Sequence, residues 1–342
     1  MDTSGGTVTG DAIRADALGR IEETLLGGQR RYTRAQVSEA TGVDRDRARQ
    51  LWLAMGFAEV GDDDAVFTDG DIEALRTWND LVASGTIPLE DELPHARVMG
   101  QTLSRLAEWQ AREVIARADL LARRAGAAAG EDTASRAAGA ADMAAALLPV
   151  IERLQSYVWR RHLAAAGNRI LLVPPGELAA ATMTVGFADM VGFTSMARHT
   201  GIDDLAALLE IFEEDTAEAV VSNRGQVVKT VGDEVLFVTD RPQDAAEIAL
   251  RLTRPGRAAQ GLPALRVGMA AGRVLTRFGD VYGPVVNLAA RLTSLARPGV
   301  ALVDAELAAA LRAGGGYRLR ARRPVAVRGY HHLRSWALRQ PG

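Results

Sequence analysis

The sequence has no cysteine and few histidines. Its 342 residues include five His and no Cys, so disulfide bonds and thiolate metal sites are excluded, and the composition is compatible with a reducing compartment. The histidines show no spacing typical of metal ligands. The adjacent His331 and His332, at the start of a predicted strand, are expected to be exposed.

Long apolar runs and a strong net charge are also missing. The best run, "AAALLPVI" over 144–151, contains Pro149 and is far shorter than the roughly 18 residues of a membrane-spanning helix. The N-terminal "MDTSGGTVTG" lacks the basic start and the apolar stretch of a signal peptide. A net charge of −3 gives no overall attraction to nucleic acid or to a membrane surface. We therefore expect a cytoplasmic protein with no membrane partner.

The composition changes between residues 168 and 180. The first part is rich in Ala, Arg and Leu and is predicted to be mostly helical. The second part follows the order β-α-β-β-α-β with further helical and strand segments after it, which predicts an α+β fold of ferredoxin-like topology, with helices covering a mostly antiparallel sheet. The expected organisation is a disordered tail over 1–10, a helical domain over 11–148, a helix and linker over 149–177, and the α+β domain over 178–342.

Two aspartates stand at predicted strand ends in the second part. Asp189 follows a strand and precedes a Gly-containing turn, so the amides over 190–194 would form an anion site at a helix N-terminus. Asp233 lies at the tip of a predicted hairpin, "KTVGDEVLF". Two such carboxylates can hold two Mg²⁺ ions that clamp a triphosphate.

Each of these residues also has an ordinary structural interpretation. Asp189 could be a helix N-cap and Asp233 a turn residue. Lys229 could form a surface ion pair with Asp233 or Glu234, and Glu234 is assigned to that role.

Three motifs in this order, "FADMVGFT", "VKTVGDEVLF" and "GDVYGPVVNLAARL", resemble the catalytic domain of class III nucleotidyl cyclases. The resemblance covers about residues 178–337, and every polar position of the three motifs is filled. It implies an adenylate cyclase, in which the ribose 3′-oxygen of ATP attacks the α-phosphate and gives 3′,5′-cyclic AMP and pyrophosphate. It also implies a head-to-tail homodimer through the catalytic domain, because in this family the metal-binding and base-reading residues of one site come from different domains.

The resemblance implies a role for each position. Asp189 and Asp233 match the aspartates that bind Mg²⁺ or Mn²⁺, two ions per active site, with the carbonyl of Met190 as a further ligand. Lys229 and Asp280 match the pair that reads adenine, the Lys donating to the ring N1 and the Asp accepting from the 6-amino group. Guanylate cyclases usually have Glu at the Lys position, so ATP is favoured over GTP. The remaining implied positions are the catalytic Asn287 and Arg291, and the substrate-binding Val191, Gly192, Phe193, Thr194, Arg273 and Arg328.

The first part contains a segment over 32–57 with two apolar stripes broken at Thr41-Gly42, which is typical of a helix-turn-helix. DNA binding is one interpretation, with phosphate contacts from Arg30, Arg31, Arg34, Arg45, Arg47 and Arg49. Neighbouring acidic residues dilute that charge, so a nucleic-acid partner is not favoured.

The same region resembles the helical regulatory domain of bacterial two-domain cyclases, in "YTRAQVSEATGV", "RARQLWLAMGF" and "ARVMGQTLSRLAEWQ". That resemblance implies a domain that restrains the catalytic domain, with the helix over 149–167 as transmitter. Two alternatives stay open at this point. One is a plain dimerisation scaffold, and the other is an inactive, nucleotide-binding cyclase homologue with a DNA-binding N-terminal domain.

Overall fold

The computed structural model describes residues 19–124, 133–171, 180–257, 262–327 and 329–340. The chain divides into two compact units, Met1–Ala165 and Ala166–Gly342. The predicted tail over 1–10, residues 172–177 of the predicted linker and Arg328 lie outside the described residues.

The described part of the first unit is helical. Its elements are α1 (19–26), α2 (Arg34–Thr41), α3 (Arg45–Ala54), α4 (Asp69–Ala83), α5 (Leu89–Arg124) and α6 (Thr133–Ile170), the last of which continues past the unit boundary. The Thr33 side chain accepts from the Gln36 amide to begin α2, which ends at Gly42 in the left-handed region with φ 69°, as the N-cap and C-cap rules lead one to expect. Thr68 caps α4 in the same way, with its side chain accepting from the Asp71 backbone amide.

The helix predicted over 149–167 is the C-terminal part of a longer element. The predicted helix begins at Pro149, which suits a first helical turn because the missing backbone N–H would have no partner there. In the structure Pro149 lies inside α6. The Ala-rich sequence before it has a strong intrinsic preference for helix, and the helix continues through the proline. The Ala-rich residues 133–140 are helical.

The two long helices of the first unit leave apolar side chains exposed. α5 and α6 line a cavity of about 1040 Å³ between them. Trp109 and Trp159 line it and are 60% and 62% exposed. No helix among the described residues is long and apolar enough to cross a membrane.

Most of the arginines expected to contact DNA phosphates are instead paired within the protein. Five of the six form ion pairs with carboxylates: Arg30 with Glu22, Arg31 with Asp69, Arg34 with Asp62, Arg47 with Glu92, and Arg49 with Glu59. A guanidinium held by a carboxylate must give up that contact to bind a phosphate. These five residues are therefore less available for DNA contacts than the sequence alone indicates, and the DNA-binding interpretation stays disfavoured.

The Arg47–Glu92 pair is buried on its carboxylate side and has well-formed hydrogen bonds. Arg47 Nε and Nη2 donate to the two Glu92 oxygens at 3.0 and 2.6 Å, and Nη1 donates to the Asn79 side-chain oxygen at 2.9 Å. The Glu92 side chain is only 2% exposed. The pair therefore joins α3, α4 and α5 inside the first unit.

We expect Arg47→Met to lower the free energy of unfolding of the first unit by about 3–5 kcal/mol, because it leaves a buried carboxylate without its counter-charge. The measurement is urea unfolding of the whole chain followed by tryptophan fluorescence, since four of the five tryptophans precede residue 166. Arg49→Met is the matched control, because the Arg49 and Glu59 side chains are 42% and 52% exposed and their pair should contribute little. Equal midpoints for the two variants would contradict the assignment.

The second unit contains one large sheet and a small one. The strands are β1 (Ala180–Met190), β2 (Gln226–Val231), β3 (Glu234–Thr239), β4 (Leu265–Arg277), β5 (Asp280–Tyr282), β6 (Ala301–Val303), β7 (Arg318–Ala321), β8 (Val325–Val327), β9 (Tyr330–Leu333) and β10 (Trp336–Arg339). The helices are α7 (Phe193–Ala197), α8 (Ile202–Ser222), α9 (Pro242–Leu252), α10 (Pro284–Leu295) and α11 (Ala305–Gly314).

The strand order of the large sheet is β2-β3-β1-β4-β6-β10-β7, with β5 paired to β4, and β8 and β9 form the small sheet. β1 is antiparallel to β3 and to β4, whereas β4 and β6 are parallel. The first six main elements follow the predicted β-α-β-β-α-β order, so the predicted α+β class is confirmed. His331 and His332 lie in β9 and are exposed, as predicted.

Helices pack on both faces of the sheet. The largest buried cluster joins one face to α8, α9 and α11, and a second joins the other face to α10. Gly268 of β4 brings α10 very close, because a Cβ there would lie 2.1 Å from the Thr293 nitrogen and 2.5 Å from the Ala289 oxygen. The face that carries α10, here called the α10 face, also carries Asp189, Glu234 and Arg266, which are paired across β1, β3 and β4.

Candidate active site

The end of β1 and the β2–β3 turn meet at one place on the α10 face. Asp189 is the second-last residue of β1, and its Cα pairs with Glu234 of β3 and with Arg266 of β4. The Met190 amide donates to the Asp233 carbonyl at 3.0 Å, which ties the turn to the strand end. The fold therefore places Asp189 and Asp233 side by side, although 43 residues separate them in the sequence.

Asp189 is a buried carboxylate near other charges. The residue is 9% exposed, and Arg266 Nε donates to its Oδ2. Burial raises the pKa of Asp189, the Arg266 hydrogen bond and charge oppose that rise, and the neighbouring Asp233 adds to it, so that the pKa is raised overall. A carboxylate in this setting is stabilised in its charged form by any cation that binds beside it.

Glu234 has a different environment from the one predicted. Burial raises the pKa of Glu234, and repulsion from Asp189 and Asp233 raises it further. The predicted ion pair with Lys229 is wrong, because Lys229 bonds to Asp280 instead. The alternation of β3 was available in the sequence and puts Glu234 on the same face as the buried Leu236, but its place opposite Asp189 depends on how β3 pairs with β1.

Two of the amides expected to bind an anion are used inside the fold. The Met190 amide donates to the Asp233 carbonyl, and the Val191 amide donates to the Ala264 carbonyl at 2.9 Å. The expectation of outward-pointing amides is therefore wrong at these two positions. Gly192, with φ 80°, precedes the five-residue α7, and the amides from Gly192 to Thr194 lie where a helix start leaves donors without intrahelical partners.

Lys229 and Asp280 form a second polar pair on the sheet. Lys229 Nζ donates to Asp280 Oδ2 at 2.5 Å, although the two residues are 51 positions apart. Burial alone would raise the pKa of Asp280, but the hydrogen bonds from Lys229 and from the Val281 amide, with the Lys229 charge, outweigh it and lower the pKa. Both side chains stay partly exposed, at 45% and 24%, so a ligand can reach them.

Asn287 and Arg291 lie one turn apart on α10, which begins with Pro284 after Gly283. Both are exposed, as is Arg273 of β4, whose Cα pairs with Thr182. Arg328 lies outside the described residues. The structure thus brings together Asp189 with Asp233, and separately Lys229 with Asp280, while the exposed groups of α10 and β4 stay open to solvent.

The carboxylate pair suits a divalent cation. Carboxylate oxygens are the ligands that Mg²⁺ and Mn²⁺ prefer, and Mg²⁺ sites commonly use one or two carboxylates together with substrate phosphates and water. Among the described residues no group of three or more His, Asp or Glu converges as a ready metal site. Asp189 and Asp233 therefore fit a cation whose other ligands come from substrate and solvent.

Comparisons with known proteins cover nearly the whole chain. Residues 178–340 match the family model of the adenylate and guanylate cyclase catalytic domain, and residues 8–163 match that of the adenylate cyclase regulatory domain. A protein named adenylate cyclase from Glutamicibacter nicotianae is 37% identical, with 96% of this chain and 84% of that one covered. Another of that name from Streptomyces coelicolor is 40% identical, with 84% and 74% covered. The solved structure of the adenylyl cyclase CyaB from P. aeruginosa is 22% identical with a TM-score of 0.41, and the match covers 48% of this chain and 96% of that one.

Proposed function

This chain belongs to the family of adenylate and guanylate cyclases and is an enzyme of that family, and we propose that it converts ATP to 3′,5′-cyclic AMP and pyrophosphate. The observation that carries the choice of ATP is the contact between Lys229 and Asp280. A lysine ammonium only donates hydrogen bonds and a carboxylate only accepts them. Adenine offers an acceptor at N1 beside a donor amino group, which is the complementary pattern, and guanine offers the reverse.

The proposed chemistry uses residues from both polar pairs. Asp189 and Asp233 would hold two Mg²⁺ or Mn²⁺ ions, which supply charge neutralisation at the triphosphate and lower the pKa of the 3′-hydroxyl. Asn287 would orient the ribose, and Arg291 would stabilise the charge that develops on the α-phosphate. The loop from Val191 to Thr194, with Arg273 and Arg328, would bind the phosphates, and the Met190 carbonyl would face a cation. The amides of Gly192, Phe193 and Thr194, rather than that of Val191, are the donors we assign to phosphate oxygens.

Two sites in a head-to-tail homodimer follow from this assignment. Lys229 lies on β2, two residues and so about 7 Å along the strand from the turn that holds Asp233. Its ammonium bonds to Asp280 and not to a residue of that turn. Asn287 and Arg291 are exposed on the same face of the sheet. A second copy placed against this face would complete each metal pair with the base-reading pair of the other copy, which is the arrangement that the family resemblance implies.

The first unit is proposed to regulate this activity, in keeping with the family model that it matches. α6 is the candidate transmitter, because it runs in sequence from the first unit past Ala165. A DNA-binding role is not favoured, since five of the six arginines suited to phosphate contacts are paired with carboxylates. The proposed substrate, ATP, would be met in the cytoplasm.

The proposal is tested by incubating the whole chain with ATP and Mn²⁺ or Mg²⁺ and quantifying cyclic AMP by chromatography. Lys229→Glu is expected to lower kcat/KM for ATP by about 100-fold or more, because a base-reading site rejects a ligand that leaves its polar groups unpaired. Arg297→Glu, an equal charge change at an exposed arginine beyond α10, should leave kcat/KM near that of the wild type. If no cyclic AMP forms with either Mn²⁺ or Mg²⁺, the proposed activity is refuted. If kcat/KM for ATP is unchanged in Lys229→Glu, the base-reading role is refuted.

A further inference from the structure

The Asp189 carboxylate lies in the middle of a row of three charged side chains on the α10 face. Glu234 pairs with Asp189 from β3, and Arg266 pairs with it from β4. Directly opposed residues of antiparallel strands project to the same side, with their Cβ atoms about 5 Å apart. The sheet register therefore fixes Arg266 beside Asp189, although the two are 77 positions apart in the sequence.

Arg266 contacts Asp189 through a single point. Its Nε donates to Oδ2 of Asp189, and among the described side chains this is its one hydrogen bond or ion pair. An arginine can also hold a carboxylate by a two-point fork that engages both oxygens. The single contact leaves Oδ1 of Asp189 without an arginine partner.

A carboxylate needs such a contact to keep one orientation. The last torsion of an aspartate is broad and has no deep minimum, so a carboxylate without a partner turns over a wide range. Groups that orient a metal ligand in this way typically change metal affinity by about 10–100-fold when they are removed.

We infer that Arg266 is a positioning residue of the cation site, which holds Oδ2 of Asp189 through Nε and so presents Oδ1 to the cation. The inference rests on the proposed function, because it needs Asp189 to be a metal ligand. Its basis in the structure is the sheet register together with the one-point contact. No residue role implied by the family resemblance includes Arg266.

Three substitutions separate the donor from the charge. In Gln the amide nitrogen stands the same number of bonds from Cα as Nε does in Arg, so Arg266→Gln keeps the donor and loses the charge. Arg266→Met has a side chain as long as that of Gln, but it has neither the donor nor the charge. Arg266→Lys keeps a charge, but its donor lies one bond further out and is not planar.

The experiment measures Mn²⁺ binding to the whole chain in the presence of 3′-deoxy-ATP, which cannot cyclise, by the electron paramagnetic resonance signal of free Mn²⁺. Arg266→Met is expected to weaken Mn²⁺ binding by about 10–100-fold, Arg266→Gln to recover most of the loss, and Arg266→Lys to remain weak. Arg297→Met is the control for loss of a positive charge elsewhere, and circular dichroism melting checks the folding of each variant.

The outcomes separate this inference from the function it rests on. A wild-type chain that binds no Mn²⁺ would refute the proposed cation site itself. Wild-type affinity in Arg266→Met would overturn the positioning role while leaving the proposed function intact. Recovery by Lys but not by Gln would also overturn it, because the charge and not the oriented donor would then be what matters. Should Arg266→Met fail to fold, the comparison of Gln with Lys still decides between these outcomes.

Discussion

Asp233→Ala is expected to lower cyclic AMP formation by at least about 100-fold, a loss typical of removing one preorganised electrostatic group from a transition state. Asp233 is one of the two carboxylates assigned to the proposed cations, and the remaining Asp189 is already engaged by Arg266. The backbone contact between the Met190 amide and the Asp233 carbonyl does not depend on the side chain, so the turn should persist in the variant.

The measurement is the rate of cyclic AMP formation at saturating ATP and Mn²⁺, with circular dichroism to confirm folding. Asp240→Ala is the matched control, because Asp240 is an exposed aspartate just after the other end of β3. An Asp233→Ala chain that retains more than about a tenth of wild-type turnover would exclude Asp233 as an essential part of the cation site, given the loss expected for such a group.

Mixing Lys229→Ala chains with Asp233→Ala chains is expected to restore about a quarter of wild-type activity. In the proposed dimer, each variant alone would have two defective sites. In a mixed dimer, the Lys229→Ala chain supplies an intact Asp233 and the Asp233→Ala chain supplies an intact Lys229, so one site of the two is complete. Random exchange makes about half of the dimers mixed, and half of their sites work.

The control mixture is Lys229→Ala with Asp280→Ala. These two residues bond to each other within one chain, so no exchange of subunits can rebuild the pair and no activity should return. The assay follows cyclic AMP after the variants are co-incubated long enough to exchange subunits. Recovery in both mixtures, or in neither, would contradict the proposed division of each site between two chains.

The places of the proposed site residues in the fold were largely predictable, because they lie in short motifs at strand ends and turns. Local rules placed Asp189 at the end of a strand and Asp233 in a hairpin turn, and the strand and helix order predicted the α+β class. Composition held a further signal, since Lys229 is the only lysine among 40 Lys and Arg residues. The chain uses Arg for its other positive charges, but it has Lys at the position assigned to reading the base. The lysine ammonium is compact, whereas the arginine guanidinium is larger and planar, so the two are not interchangeable there.

The contacts that depend on register between distant segments could not be predicted in the same way. Arg266 meets Asp189 only because β1 and β4 pair with a particular offset, and a shift of one residue would turn Arg266 to the opposite face. The pairing of Arg47 with Glu92 could not be read from the sequence in the same way, because Glu92 lies 45 positions away on α5. The continuation of α6 through Pro149 likewise goes against a local rule that usually holds.

The close approach at Gly268 bears on how such an enzyme can be switched. Where the backbone of α10 rests directly on β4, the helix has no layer of side chains on which to slide, and packed elements of this kind resist small continuous displacements. Asn287 and Arg291 should therefore keep a constant position relative to the strands of their own chain. In the proposed dimer, regulation would then change the fraction of molecules in which the two catalytic domains are aligned so that both active sites are complete. An inhibited dimer would differ from an active one in the relative orientation of its two catalytic domains, while the interior of each domain would stay the same.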